Sequence, residues 1–206
     1  MKNSKAIIFD LVAVILNINY QNTIDAFIKL EVKNASTFYS KKVQTDLFNQ
    51  IETGKITAEK FLTELQRETK NATIKQVTDA WNAMLLDLPE DRLELIKALK
   101  KEYRIYLLSN TNEIHIDAIK EQLGDKKWNG FSNLFDKMYL SHEVGMRKPN
   151  TEVFEHILVE QKLKAEEVFF IDDSPQHIEG AKKLGIKTHH LLDNKDITSL
   201  FPDIIL

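Results

Sequence analysis

The chain has 206 residues, a net charge of −3 at neutral pH, 43% hydrophobic and 29% charged residues, and no cysteine. Such values fit a soluble globular protein of one core domain plus an insertion, and they give no basic footprint for nucleic acid or a membrane surface. Disulfides, thiolate metal sites and cysteine nucleophiles are excluded, the lack of cysteine agrees with a cytoplasmic location, and no apolar run reaches the ~20 residues of a membrane-spanning helix.

Residues 5–11 are predicted to be a buried strand: short, apolar, β-branched and aromatic. Lys2, Lys5 and the apolar run from Ala6 to Leu16 resemble a signal peptide, but Asp10 interrupts the run and Asn17-Ile18-Asn19-Tyr20 offers no small-residue cleavage site. Residues 12–19 read as an irregular exit. From 20 to 88 the periodicity is helical throughout, in about four helices: one from Ile24, Phe27 and Ile28, one over Thr37–Ile51, one capped by Thr57 and one capped by Thr73. Tyr20, Phe48 and Trp81 either line a pocket there or form core, and aromatics at helical spacing favour core.

After Pro89 a helix carries Leu93, Ile96 and Leu99, and strands then alternate with helices. Strands are predicted at 103–108, 137–140, 168–171 and 187–191, with helices at 112–123, 151–161 and 175–184 between them. That alternation specifies an α/β fold, a doubly wound parallel sheet, interrupted after its first strand by an all-helical insertion. The expected division is a core of residues 1–19 and 89–206 and a helical cap of residues 20–88.

Ligands of open α/β sheets bind outside the carboxyl ends of the strands. Four signals fall at such ends. Asp10 follows Ile7-Ile8-Phe9, and a carboxylate there can ligate a hard dication or attack phosphorus; an Asp that merely caps a turn is the commoner role. Asp172-Asp173 follows Phe169-Phe170-Ile171, and two adjacent acids repel unless a cation offsets them, although both could instead cap the helix that starts at Ser174-Pro175. Ser109, with the backbone amides of Asn110 and Thr111, precedes a helix and suits a phosphate group, against ordinary capping by Thr111 or Asn112. Lys148, held between Gly145-Met146-Arg147 and Pro149, is a point cation able to neutralise phosphate or a crowded carboxylate. Each signal is weak alone; the order Asp, Ser, Lys, Asp-Asp at successive strand ends is specific.

In these residues the chain resembles the haloacid dehalogenase-like (HAD) hydrolase superfamily, subfamily IA, over almost its whole length. "IIFDL", "LLSNTN", "GMRKP" and "FFIDDSPQHIEGAKKLGI" look like that superfamily's four motifs. The combination is most similar to bacterial α-D-glucose-1-phosphate phosphatases and to the phosphatase domain of soluble epoxide hydrolase, and the helical insertion looks like a small C1 cap. The resemblance implies a Mg²⁺-dependent phosphatase acting on a small phosphorylated metabolite such as a sugar phosphate. It makes Asp10 the nucleophile and a metal ligand, with the backbone carbonyl of Val12 and the carboxylate of Asp173 as further ligands and Asp172 in support. Ser109, Asn110 and Arg147 would contact substrate, and Lys148 would neutralise Asp10 and the phosphoryl group.

Three departures stand out. Val12 replaces the usual acid/base Asp, Ala13 stands where Gly is frequent, and His177 stands four residues after Asp173 where Asp or Asn is common. General acid–base catalysis is worth ~10²–10⁴ in rate, so slow or selective turnover is expected. His142 or His177 could donate a proton, although an uninvolved loop His is commoner. Two alternatives remain at this point: a catalytically silent metal- and phosphate-binding regulatory protein on the same fold, and carbon–halogen hydrolysis, against which the Asp172-Asp173 pair argues. A monomer or a weak dimer is compatible with the composition.

Overall fold

The computed structural model describes residues 4–33, 35, 46–192 and 195–202. Five strands form one sheet: β1 (Ala6–Phe9), β2 (Arg104–Ser109), β3 (Lys137–Leu140), β4 (Val168–Asp172) and β5 (Lys187–His190). Their order is β3-β2-β1-β4-β5, and all four pairings are parallel. The chain winds outward from β1 in one direction through β2 and β3, then returns to lie beside β1 as β4. The winding therefore reverses between β1 and β4, the place where ligands collect in such sheets. Phe9 is level with Leu107 on one side and Ile171 on the other, so Asp10 leaves the sheet beside Asp172.

Both faces of the central strands are buried, as their near-continuous apolar sequences require, while the edge strand β5, Lys-Thr-His-His, is only partly covered. Alternate residues choose the face. Ile7, Phe9, Ile105, Leu107 and Ile171 pack with Leu95, Ile96 and Leu99 of α5 (Glu90–Leu99) and with Ile116 and Ile119 of α6 (Glu113–Ser132). Ala6, Ile8, Tyr106, Leu108 and Phe170 pack on the other face with Val153, Phe154 and Ile157 of α8 (Thr151–Glu160) and Ile178 and Ala181 of α9 (Pro175–Lys182). The helix predicted over 112–123 ends where expected, at Gly124, whose φ of +69° and ψ of 160° are non-helical; a second helical stretch follows directly to Ser132 and buries Phe131. A one-turn helix, α7 (Ser141–Val144), follows β3 and carries no periodicity from which to predict it.

Between β1 and β2 in the chain lie α1 (Tyr20–Lys29), α2 (Asp46–Glu52), α3 (Ala58–Arg67) and α4 (Ile74–Asn82). The part of the predicted 37–51 helix before Asp46 lies outside the described residues. The predicted caps form: Thr57 accepts from Lys60 N–H, and Thr73 and Gln76 make a reciprocal capping box. These helices enclose a third apolar cluster, which includes Phe27, Phe48, Phe61, Leu65 and Trp81, and Ile114 of α6 joins it. Phe48 and Trp81 stack with centroids 5.4 Å apart, so both belong to this core. His115 stacks on the other neighbour of the pair, 5.1 Å from Trp81, and its Nδ1 meets Asn82 Oδ1 at 2.8 Å.

The turn after α2 presses on the sheet's edge. Gly54 has φ +65°, and a Cβ there would lie 2.3 Å from the carbonyl oxygen of His142. Only glycine satisfies both demands. Among the described residues no helix is long and apolar enough to cross a membrane.

Candidate active site

At the end of β1 the backbone turns sharply. Ala13 N–H donates to Leu16 O at 2.9 Å, and the N–H groups of Ile15 and Leu16 both donate to Leu11 O, at 2.9 and 2.8 Å. These bonds use the carbonyls of Leu11 and Leu16, leaving the Val12 carbonyl outside the set. Ala13 adopts φ +63°, the left-handed conformation that a Gly would take without strain. The Val12 side chain is half-buried and packs against the apolar cluster under α5 and α6.

Lys148 organises the centre. It is fully buried, and its Nζ donates at 2.7 Å to Asp10 Oδ1, at 2.6 Å to Asp172 Oδ2 and at 2.9 Å to the Leu108 carbonyl. An ammonium has three N–H donors, and all three are used. The loop that delivers Lys148 is held by Asn110: its Oδ1 accepts from Lys148 N–H and its Nδ2 donates to Lys148 O, both at 2.9 Å. The Asn110 side chain thus positions the lysine, and only its backbone is left to face a ligand. The Thr111 amide is also engaged, donating to Ser141 Oγ at 2.9 Å. Ser109 Oγ differs: it is fully buried at the strand end and finds no hydrogen-bond partner among the described residues. An orphaned hydroxyl of that kind calls for a ligand atom.

Asp172 is committed to the protein. Besides Lys148, its carboxylate accepts from Ser174 N–H at 2.8 Å and from His177 Nδ1 at 2.9 Å. The bond to Ser174 N–H closes the turn into the next helix, but that helix, with Ser174 as its N-cap, has no side-chain cap. Burial opposes its ionisation, but Lys148 and His177 outweigh burial and hold the carboxyl down at about 2. Asp10 is the opposite case. Its burial, helped by the charges of Asp172 and Asp173, overrides Lys148 and pushes the carboxyl up to about 8. Burial, and the charge of Lys148, also keep His177 below the ordinary imidazole range, against the pull of Asp172.

Asp10, Asp172 and Asp173 each offer a carboxylate oxygen, and these atoms lie within 4.8 Å of one another. Three acids and one buried ammonium leave the centre two charges short of neutral when every carboxylate is ionised. A set made only of hard oxygens is the kind that Mg²⁺ prefers, and the dication would bring the charge to zero. The residues present therefore fit that ion.

Two neighbours come from the helices between β1 and β2. Tyr20, the first residue of α1, has its phenol pushed up by burial and by the charges of Asp173, Asp10 and Glu52, whereas Phe48 and Trp81 sit in the helical core. Arg147 does not point at the carboxylates. It reaches α2, where its guanidinium contacts Asn49 Oδ1 and lies 3.0 Å from Glu52. Sequence reasoning passed over Asn49 and Glu52, although their i, i+3 spacing puts them on one helix face. His142 lies apart: it lines a cavity of about 420 Å³ with Gly54, Lys55, Thr57 and Glu113, and none of the three clustered acids does.

Comparisons with known proteins agree with this geometry. The haloacid dehalogenase-like hydrolase family matches residues 4–185. A D-ribitol-5-phosphate phosphatase of Bacteroides thetaiotaomicron is 31% identical over 185 residues, which is 89% of this chain and 90% of that protein. A crystal structure of a HAD family enzyme from the same organism, an aspartate-to-alanine variant in complex with magnesium and inorganic phosphate, superposes with a TM-score of 0.89 at 32% identity, covering 96% of this chain and 98% of the other. A HAD-like family hydrolase of Porphyromonas gingivalis has a TM-score of 0.84 at 30% identity, covering 97% of each chain.

Proposed function

The chain belongs to the haloacid dehalogenase-like hydrolase family, and from that premise we propose that it is a Mg²⁺-dependent phosphatase of a small phosphate monoester, such as a sugar phosphate. The observation that carries this proposal is the buried Lys148 wedged between Asp10 and Asp172, with Asp173 beside them. Further support comes from the magnesium and phosphate bound by a similar enzyme and from the phosphatase names of relatives. The low net charge fits a small metabolite as partner, with neither nucleic acid nor membrane, and the cysteine-free composition fits the cytoplasm. Residues 20–88 are proposed as the cap and residues 1–19 and 89–206 as the core.

Asp10, the Val12 carbonyl and Asp173 would hold the ion, with Asp172 behind them. The chemistry supplied by bound Mg²⁺ is charge neutralisation and orientation of the phosphoryl oxygens. Lys148 aims Asp10 and opposes the burial that raises its carboxyl, and the dication would complete its ionisation; Ser109 Oγ donates to a phosphoryl oxygen. The Asp10 carboxylate forms a bond to phosphorus as the ester P–O bond breaks, and the departing oxygen takes a proton. Water then attacks the aspartyl-phosphate, releasing inorganic phosphate and restoring Asp10. At position 12 a valine has no proton to give, so the leaving oxygen must take one from solvent or from its own hydroxyl groups. Acidic or hydroxyl-bearing leaving groups are therefore favoured, and simple alkyl esters are slow.

The test is a panel of phosphate esters assayed with Mg²⁺ and with EDTA. Hydrolysis that EDTA abolishes is expected. No hydrolysis across the panel, with Mg²⁺ and phosphate still bound, would identify a silent binding protein instead; chelator-insensitive dehalogenation would reverse the assignment.

A further inference from the structure

Among the described strands β5 alone lacks an apolar run. It reads Lys-Thr-His-His, and all four residues are half-buried. Packing alone gives no reason for two imidazoles at its end. The last of them has a polar contact. His190 lies level with Asp172 in the parallel ladder, and its Nε2 is 3.0 Å from the backbone carbonyl oxygen of Asp173. A carbonyl oxygen only accepts, so this ring nitrogen carries the proton and donates it.

That bond completes a frame around the acid pair. Three successive carbonyls leave β4, and each is held. Ile171 O accepts from Asp10 N–H at 3.0 Å, Asp172 O accepts from Leu191 N–H at 2.9 Å, and Asp173 O accepts from His190. The Asp172 side chain is fixed as well, by Lys148, Ser174 N–H and His177. What the pinned turn delivers to the cluster is the Asp173 carboxylate, within 4.8 Å of those of Asp10 and Asp172. Ionised carboxylates that close repel one another. A loose turn would relieve the repulsion by swinging Asp173 away, and rotating its peptide would break the bond to His190.

Resting on the Mg²⁺ site proposed above, we propose that His190 is a positioning residue for the metal. It touches neither the ion nor the substrate. It acts through the Asp173 peptide, holding the third carboxylate in its binding arrangement before the ion arrives. Outer partners that orient a metal's ligands govern affinity in this way. The edge strand thus contributes to the site through one imidazole, from a stretch of sequence that carries no strand-end acid, phosphate-binding or lysine signal.

The experiment is calorimetric titration of Mg²⁺ into the wild type, His190→Phe and His190→Gln, with thermal unfolding of each in EDTA. Phenylalanine keeps a flat ring and removes the donor, whereas glutamine offers an amide N–H at a similar reach. His190→Phe should bind Mg²⁺ about 10-fold more weakly or worse, and His190→Gln should recover most of the loss. In EDTA the phenylalanine variant should melt close to the wild type, because relief of the carboxylate repulsion offsets the lost bond. In phosphatase assays the change should appear in the Mg²⁺ concentration for half-maximal rate and not in kcat at saturating Mg²⁺. An unchanged Mg²⁺ Kd in His190→Phe, with or without a lower Tm, would overturn the positioning role while leaving the metal site standing. Equal weakening in both variants would overturn the role of the donor. Absence of Mg²⁺ binding by the wild type would overturn the metal site itself. His190→Leu, which also lacks a donor, decides the matter if the phenylalanine variant does not fold.

Discussion

Replacing Lys148 with Met keeps length and apolar volume and removes only the ammonium. The consequence follows from the distances. Asp10 and Asp172 each approach Nζ within 2.7 Å, and their nearest carboxylate oxygens are within 4.8 Å of each other. Two ionised carboxylates 4.8 Å apart at an effective dielectric near 20 repel by about 3.5 kcal/mol, and breaking a buried ion pair by deleting one partner costs ~3–5 kcal/mol. In a chain of this size each kcal/mol moves Tm by about 2–4 °C, so metal-free Lys148→Met should melt about 6–20 °C below the wild type. A dication can take over the neutralisation, so Mg²⁺ should raise the variant's Tm more than the wild type's. Asp10, already raised by burial, should rise further and lose nucleophilicity at neutral pH. Thermal unfolding followed by circular dichroism, in EDTA and in Mg²⁺, reads all of this. Equal Tm values for wild type and variant in EDTA would refute the assigned role of Lys148 as the counter-charge of the two acids.

Val12→Asp should raise kcat for a simple alkyl phosphate by ~10²-fold or more while changing p-nitrophenyl phosphate turnover little; steady-state kinetics on the two esters checks it, and no gain on the alkyl ester contradicts the assigned defect. Ala13→Gly should stabilise the loop by about 0.5–1 kcal/mol, the left-handed penalty less the entropy of an added glycine, seen as a higher urea midpoint; a lower midpoint would mean that φ +63° carries no strain. Acid should unfold the protein in two windows. Burial holds His115 down to about 3, so it stays neutral in the fold while the unfolded chain takes up a proton below about 6.5, and stability falls with pH from ~6.5 toward ~3. Asp172, held at about 2, contributes stability above its unfolded value near 3.9 that is lost as pH falls through ~2. His115→Phe, which keeps the stack on Trp81, should flatten the upper window only, and urea titrations at stepped pH would show an unchanged slope there if the reasoning is wrong.

The sheet and its edge were legible because β-branched and aromatic runs, each ending in a polar residue, mark parallel strands whose carboxyl ends converge. Thr57, Thr73 and Asn112 were readable as caps because an N-cap needs a side-chain acceptor beside a free amide, and each accepts one. Lys148 illustrates the limit. Its sequence context marked a cation in a constrained loop, but its burial between two acids depends on Asn110, a residue 38 positions away, gripping its peptide from both sides. Arg147 was expected to contact substrate; its side chain extends to Asn49 and Glu52, a contact with the inserted helices that no local pattern encodes. The break at Gly124 was legible, but the helical stretch that follows it to Ser132 was not, since only Phe131 there is buried and no apolar period marks it.

The most direct test of the account is hydrolysis of p-nitrophenyl phosphate with Mg²⁺ by the wild type and by Asp10→Asn, with acid-quenched protein analysed for phosphoryl adducts by mass spectrometry. This ester has an acidic leaving group and so does not need the proton that Val12 lacks. The account predicts Mg²⁺-dependent turnover, a phosphoryl group on the wild-type peptide that contains Asp10, and loss of both in the variant. Turnover that survives in Asp10→Asn would contradict it.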